Sequence, residues 1–148
     1  MNLNSKTNGI FGDVSIVKTN IVGDVLEKIY IPNLVVAVGK NYIASRIIGV
    51  TPTVMTNIAV GTSNAAASAT DTTLVTEIGR VVLSTSTVNN NVVTYTATFP
   101  AGTATGALTE AGIFNAGTAG VMLARTTFPI VTKQAADVIS ITWNITIS

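Results

Sequence analysis

Two short segments carry the residues best placed to do chemistry. Thr76-Glu77-Ile78-Gly79 and Thr109-Glu110-Ala111-Gly112 repeat a Thr-Glu-x-Gly pattern ahead of an apolar run. Two carboxylates brought together could serve as a general acid and base, or hold a cation. The competing reading is structural: a Glu at a strand entrance can meet Arg80 or Arg125 and tie sheet edges together, while the Gly permits a bulge or a close backbone approach. The structural reading is the stronger one. The chain has no His to complement the carboxylates and no further acidic cluster, and perturbed catalytic groups need companions.

Other chemistry finds less support. Ser and Thr are abundant, but without His no Ser-His-acid nucleophile can form, and no Ser-Lys pair stands out by spacing. Gly102, Gly106, Gly112, Gly117 and Gly120 do not stand between a strand and a helix as a phosphate loop requires. Asn144-Ile145-Thr146 matches a glycosylation acceptor, yet it falls inside an expected strand of a chain with no secretion signal. Trp143 could stack on a sugar; on the apolar parity of a strand it reads as core instead. Tyr30, Tyr42 and Tyr95 are scattered and form no stacking stripe. No catalytic, cofactor-binding or metal-ligating residue is therefore expected, and the chain reads as a non-enzyme.

The elements that position these residues are β-strands. Residues 138–148 alternate almost without fault: Ile139, Ile141, Trp143, Ile145 and Ile147 share one face, and Ser140, Thr142, Asn144, Thr146 and Ser148 the other. Such a strand belongs inside an antiparallel sheet with neighbours on both sides. Residues 1–12 are polar and read as an arm. Val14–Ile21 and Val25–Ile31 read as a hairpin, with Gly23 in the reversal. The state of Leu34–Val38 is open on periodicity alone. From about Gly39 to Ile48 the spacing predicts the one helix, with Tyr42, Ile43, Ile47 and Ile48 on one side and Gly49 at its stop. Ile58–Gly61 reads as a short buried strand. Residues 62–73, small and nearly uncharged, read as a solvated connection rather than a binding loop. Gly79–Thr87 and Val92–Phe99 form a hairpin about Asn89-Asn90-Asn91, where Asn can take the left-handed conformation a tight turn needs. Ala107–Ala116 and Val121–Val131 follow. The expected fold is all-β, an antiparallel β-sandwich or jelly roll with one short helix. It divides into an arm and hairpin over residues 1–33 and a sandwich domain over residues 34–148.

Composition points towards assembly. Charged residues are 10% of the 148, against 47% hydrophobic and 5% aromatic, so the exposed faces are covered by Thr, Ser, Asn, Ala and Gly. A weakly charged surface suits lying against other protein. Eight Lys and Arg against seven Asp and Glu give a net charge of +1 with no run of like charge, which disfavours binding nucleic-acid phosphates. No Cys is present for a disulfide or thiolate site, and no apolar run approaches the length of a membrane span.

Several pieces carry a resemblance: Asn33-Leu34-Val35-Val36 with residues 39–46, Ala59-Val60-Gly61-Thr62, Thr76-Glu77-Ile78-Gly79-Arg80, residues 108–116, Met122-Leu123-Ala124-Arg125-Thr126 and residues 141–147. Together they resemble small tailed-bacteriophage virion structural proteins, over most of residues 33–148. The Glu-x-Gly-Ile-Phe piece and the strands after it are also similar to segments of phage tail-collar and tail-fibre proteins. The resemblance implies a particle component assembled in the bacterial host cytoplasm and resident in the virion. Its first reading is a capsid decoration or cement protein, a homotrimer whose residues 1–31 grip the major capsid protein or other virion proteins. The other is a tail, neck or fibre component, with a host-glycan module as a further class. No nucleic acid, membrane or cofactor is expected as a partner.

Overall fold

The computed structural model describes residues 9–50 and 53–148. Among the described residues nine strands and one helix follow in order: β1 (Ile10–Thr19), β2 (Val25–Val35), α1 (Ala37–Ile47), β3 (Asn57–Gly61), β4 (Glu77–Val82), β5 (Thr85–Asn89), β6 (Val92–Phe99), β7 (Gly106–Phe114), β8 (Met122–Lys133) and β9 (Val138–Ile147). Every strand pairing is antiparallel. The all-β expectation holds, and the fold is sandwich-like. The order across the sheet is β4-β3-β7-β8-β2-β1-β9-β6-β5.

Two crossings turn this sheet into two layers. β2 pairs with β1 from Val25 to Asn33, then passes to β8 through Leu34 and Val35. β4 pairs with β3, and after only Leu83 and Ser84 the chain resumes as β5 on β6. The two linking residues bridge the layers: the Leu83 N–H donates to the Thr56 carbonyl and the Ser84 N–H to the Thr96 carbonyl. Strands that change sheets make the corners of such a sandwich. One layer holds β2, β1, β9, β6 and β5; the other holds β4, β3, β7, β8 and the end of β2.

β9 sits between β1 and β6, as its alternation requires. A rung through the first layer runs Ile31, Val14, Trp143, Tyr95. Its inward residues pack against Ile58, Val60, Ala111, Ile113 and Leu123 of the second layer. Trp143 is fully buried, which settles it as core. A smaller core of Val36, Ala59, Leu74, Phe114 and Met122 lies apart from this one. The boundary expected at residue 33 falls within β2, and Val14 and Ile16 of β1 belong to the main core.

Three expectations are corrected. Residues 10–12, read as part of a polar arm, form the start of β1, where Ile10, Phe11 and Gly12 continue the ladder with β9; residues 1–8 of that arm lie outside the described residues. The strand read as Gly79–Thr87 is two strands, because the chain changes partner at Leu83. The helix begins at Ala37, and its apolar stripe is cut short. Gly39 and Tyr42 are buried, whereas Ile47 and Ile48 are 79% and 78% exposed because the last turn runs past the sheet it packs on. Residues 62–73 are largely exposed, as expected of a solvated connection, but they are pinned to the buried charges described next.

Candidate functional site

The two Thr-Glu-x-Gly segments converge on one residue. Gly61, at the end of β3, is the register partner of Glu77 on β4 and of Glu110 on β7. The carboxylates thus stand on strands either side of β3, about 10 Å apart at the backbone. They do not form an acid-base pair, because each is taken by its own arginine, as the structural reading of the sequence expects.

Glu77 binds Arg80 through both oxygens: Nε donates to Oε1 and Nη2 to Oε2, each at 2.8 Å. Nη1 donates to the Ala116 and Ala119 carbonyls at 2.9 Å, so Arg80 fastens β4 to the turn between β7 and β8. Its guanidinium also stands over the Phe114 ring, 3.8 Å from the centroid. A planar fork of donors suits this combination of carboxylate, carbonyls and ring face.

Glu110 and Arg125 are both fully buried. The Arg125 guanidinium has five N–H donors and makes five bonds. Nε and Nη2 donate to Glu110 Oε2 at 3.2 and 2.9 Å, Nη1 to Asp71 Oδ2 at 2.9 Å and the Ala66 carbonyl at 3.2 Å, and Nη2 also to the Ala65 carbonyl at 2.8 Å. Glu110 in turn accepts from the N–H groups of Thr76 at 2.7 Å, Val75 at 3.1 Å and Ser63 at 3.4 Å. One cation faces two carboxylates, and the backbone N–H groups of the loop supply the remaining positive potential. A buried charge so saturated is tolerable where a half-satisfied one is not.

This network shapes residues 62–76 into a closed loop. The Thr62 N–H donates to the Thr76 carbonyl at 3.0 Å, joining the loop's ends. A Cβ on Gly61 would overlap that carbonyl and Glu110 Oε1, so a side chain is excluded at the residue both carboxylates flank. Leu74 plugs the loop into the smaller core, and the Ala37 N–H at the head of α1 donates to the Ala69 carbonyl at 2.8 Å. Asp71, the sole charged residue of the loop, is the partner that sequence reasoning missed.

A hollow of about 230 Å³ opens where β2 and β8 part, lined by Pro32, Asn33, Leu34, Ala67, Arg125, Thr126 and Thr127. Arg125 offers a ligand no free donor there, since all five are committed. Among the described residues no three His, Cys, Asp or Glu side chains are grouped to hold a metal ion, and no helix is long and apolar enough to cross a membrane.

No family model, curated protein or solved structure matches this chain. What distinguishes its surface is apolar exposure. Ile21, Val22, Val25, Leu26 and Tyr30 are exposed on the β1–β2 hairpin, and Ile47, Ile48, Val50 and Val54 at and after the end of α1. Trp143 contributes nothing to a sugar platform, being enclosed by both layers. Asn144 of the acceptor-like triplet bonds Thr94 at 2.8 Å and Asp13 at 2.9 Å within the sheet.

Proposed function

We propose that this chain is a non-enzymatic structural protein of a tailed-phage virion, standing on the capsid shell as a decoration or cement protein. The observation that carries the assembly part of this reading is the exposed apolar surface of the hairpin, on a chain with few charges to keep copies dispersed. The virion part is supported by the sequence pieces that resemble such proteins. The mechanism is mechanical. Residues 1–31 supply the footing on the major capsid protein, and repeated weak footings act together because each bound contact raises the effective concentration of the next. Buried ion pairs and two chain crossings between the layers give a stiff body on which such a footing can be held.

Labelling of the protein on purified particles, viewed by electron microscopy, tests the location. Label over the head is expected. Label confined to the tail would replace this reading with an adaptor, neck or fibre role. A chain lacking residues 1–8 is expected to bind particles more weakly; wild-type attachment would move the footing to the hairpin alone.

A further inference from the structure

The outer edge of β2 is a strand edge with backbone groups to spare. Gly9 and Ser148 exchange N–H to carbonyl bonds at 2.8 Å, so on β1 the odd-numbered residues bond β9 and the even-numbered ones bond β2. Val14 and Ile16 therefore pair through Ile31 and Ile29, in a ladder that is regular from Gly12–Asn33 to Lys18–Glu27. Lys28 and Tyr30, on the other parity, direct both N–H and carbonyl away from β1. On that side β2 meets β8 only at Leu34 and Val35. The gap closes at Pro32, whose carbonyl accepts from the Thr126 hydroxyl at 2.8 Å. Between Val25 and Ile31 no described strand pairs with this edge. β8 does not supply the missing neighbour: its Pro129 has no N–H, and its Thr132 carbonyl is taken by Lys18 Nζ at 3.0 Å.

The side chains beside the open edge are apolar. Val25, Leu26 and Tyr30 are 63%, 52% and 68% exposed, and Phe11 is half-exposed on the same outer face as Tyr30. Further across the layer that face turns polar, with Thr142 and Asn144 on β9 and Thr94 and Thr96 on β6. Unpaired N–H and carbonyl groups in a row specify their occupant as another extended backbone, and apolar flanks support it through cross-strand contacts. A second copy fits poorly, because β2 laid on itself in full antiparallel overlap sets Lys28 opposite Lys28. Among the described residues Lys28 has no ion pair, while its neighbour Glu27 is held by Lys18 at 3.5 Å. The complement of this edge is an acidic side chain opposite Lys28, with apolar ones opposite Leu26 and Tyr30.

We infer that the outer edge of β2 takes an extended segment of a different protein, added antiparallel as a further strand, with an acidic residue facing Lys28 between two apolar ones. The inference rests on the reading that residues 1–31 are the footing, and it names how the footing is made. Backbone bonds from Lys28 and Tyr30 supply the join, and Lys28 supplies the selection between partners.

The test is amide hydrogen exchange of the full chain followed by NMR, with a synthetic peptide as the probe. In the chain alone, the Lys28 and Tyr30 amides are expected to exchange rapidly and those of Ile29 and Ile31 slowly. The probe is acetyl-Thr-Val-Thr-Glu-Thr-Val-Thr-amide in millimolar excess, whose Val, Glu and Val fall opposite Tyr30, Lys28 and Leu26. It is expected to abolish the rapid exchange of Lys28 and Tyr30 and leave Ile29 and Ile31 unchanged. The same peptide N-methylated at its Val and Glu residues lacks the donors and is expected to protect neither. Lys28→Glu, an exposed change, is expected to lose the Glu peptide and to accept one with Lys in its place. Slow exchange of Lys28 and Tyr30 in the chain alone would overturn the inference, since the edge would already be held within the chain or by a second copy. Failure of the peptide to protect, protection by the N-methylated form, or an unchanged charge preference in Lys28→Glu would overturn it as well. A chain that coats heads yet gains no protection would sink this inference alone, whereas protection in a chain absent from heads would sink only the proposed location.

Discussion

Glu110 and Arg125 form a pair that is more informative broken than intact. Replacing Glu110 with Ala leaves the buried Arg125 with Asp71 and two carbonyls, and orphans three loop N–H groups. Breaking one side of such a pair costs about 3–5 kcal/mol, and the Asp71 contact that remains places Glu110→Ala near 3. Urea unfolding measures it. Glu110→Leu with Arg125→Met is expected to lose less than either single change, because no uncompensated charge stays inside and Asp71 can rehydrate. Trp143→Ala should cost about 3–5 kcal/mol as a core deletion in the same assay. Tyr95 gives a pH signature. Burial, with a smaller contribution from Tyr42, pushes its phenol from 10.0 up to about 12. The folded state then holds a proton that the unfolded chain releases, so the contribution is complete below pH 10 and lost as pH rises to 12. At about 1.4 kcal/mol per unit this amounts to at most about 3 kcal/mol, less what residual solvent contact screens. Lys133 acts in the opposite sense, its ammonium pushed down by burial, so stability gains as pH rises towards 10.5. Tyr95→Phe isolates the phenol: the variant's stability, followed by unfolding between pH 9 and 12, is expected to fall less than wild type's. The Glu–Arg ties and the buried Trp were legible in the sequence because their residue types have few other uses in a strand. Asp71 was not, since nothing local pairs a loop aspartate with an arginine 54 positions away; its signal was being the sole charge in an uncharged loop.

Helix α1 shows how packing overrides local preference. In an exposed helix, Gly to Ala stabilises by up to about 1 kcal/mol. Gly39 faces β8 so closely that a Cβ would overlap the Leu123 carbonyl, which is backbone and cannot swing aside. The clash wins, and Gly39→Ala is expected to destabilise by about 1–3 kcal/mol in thermal or urea unfolding, the range for overpacking a filled site. A stabilised variant would mean that α1 does not seat on β8. The residues that place the helix here are few. Tyr42 is buried and Ile43 half-buried, while Ile47 and Ile48 miss the sheet, so the period read from the sequence marked a helix correctly and its buried face only in part. The β4–β5 break was invisible for a related reason: an apolar run continues across Leu83, and only the partner strands, distant in sequence, decide where it must bend. The β5–β6 turn was legible because its determinant is local, with Asn90 at φ +53°.

Across the whole molecule, the order of strands makes the first layer depend on pairings distant in sequence. β1 lies between β2, its neighbour in sequence, and β9, more than a hundred residues away; Gly9 and Ser148 exchange N–H to carbonyl bonds at 2.8 Å. β6 also needs β9, and β2 needs β8. The first layer therefore has only its two hairpins, β1–β2 and β5–β6, until β9 arrives to join them, and a lone hairpin is marginal in water. Contacts so distant in sequence demand loop closure before burial rewards it, which places such β folds in the millisecond-to-second range. Stopped-flow refolding followed by the fluorescence of Trp143 reads this step directly, because the indole is enclosed only when β9 enters between β1 and β6. The expected main phase takes milliseconds to seconds. Ile141→Val on β9 and Val14→Ala on β1 should raise the unfolding rate more than they slow folding if the β9 insertion follows the barrier, and slow folding if it forms the barrier. Since β9 is the strand that turns two hairpins into one layer, slowed folding is the outcome expected here, and a Trp143 signal recovered within microseconds would refute it.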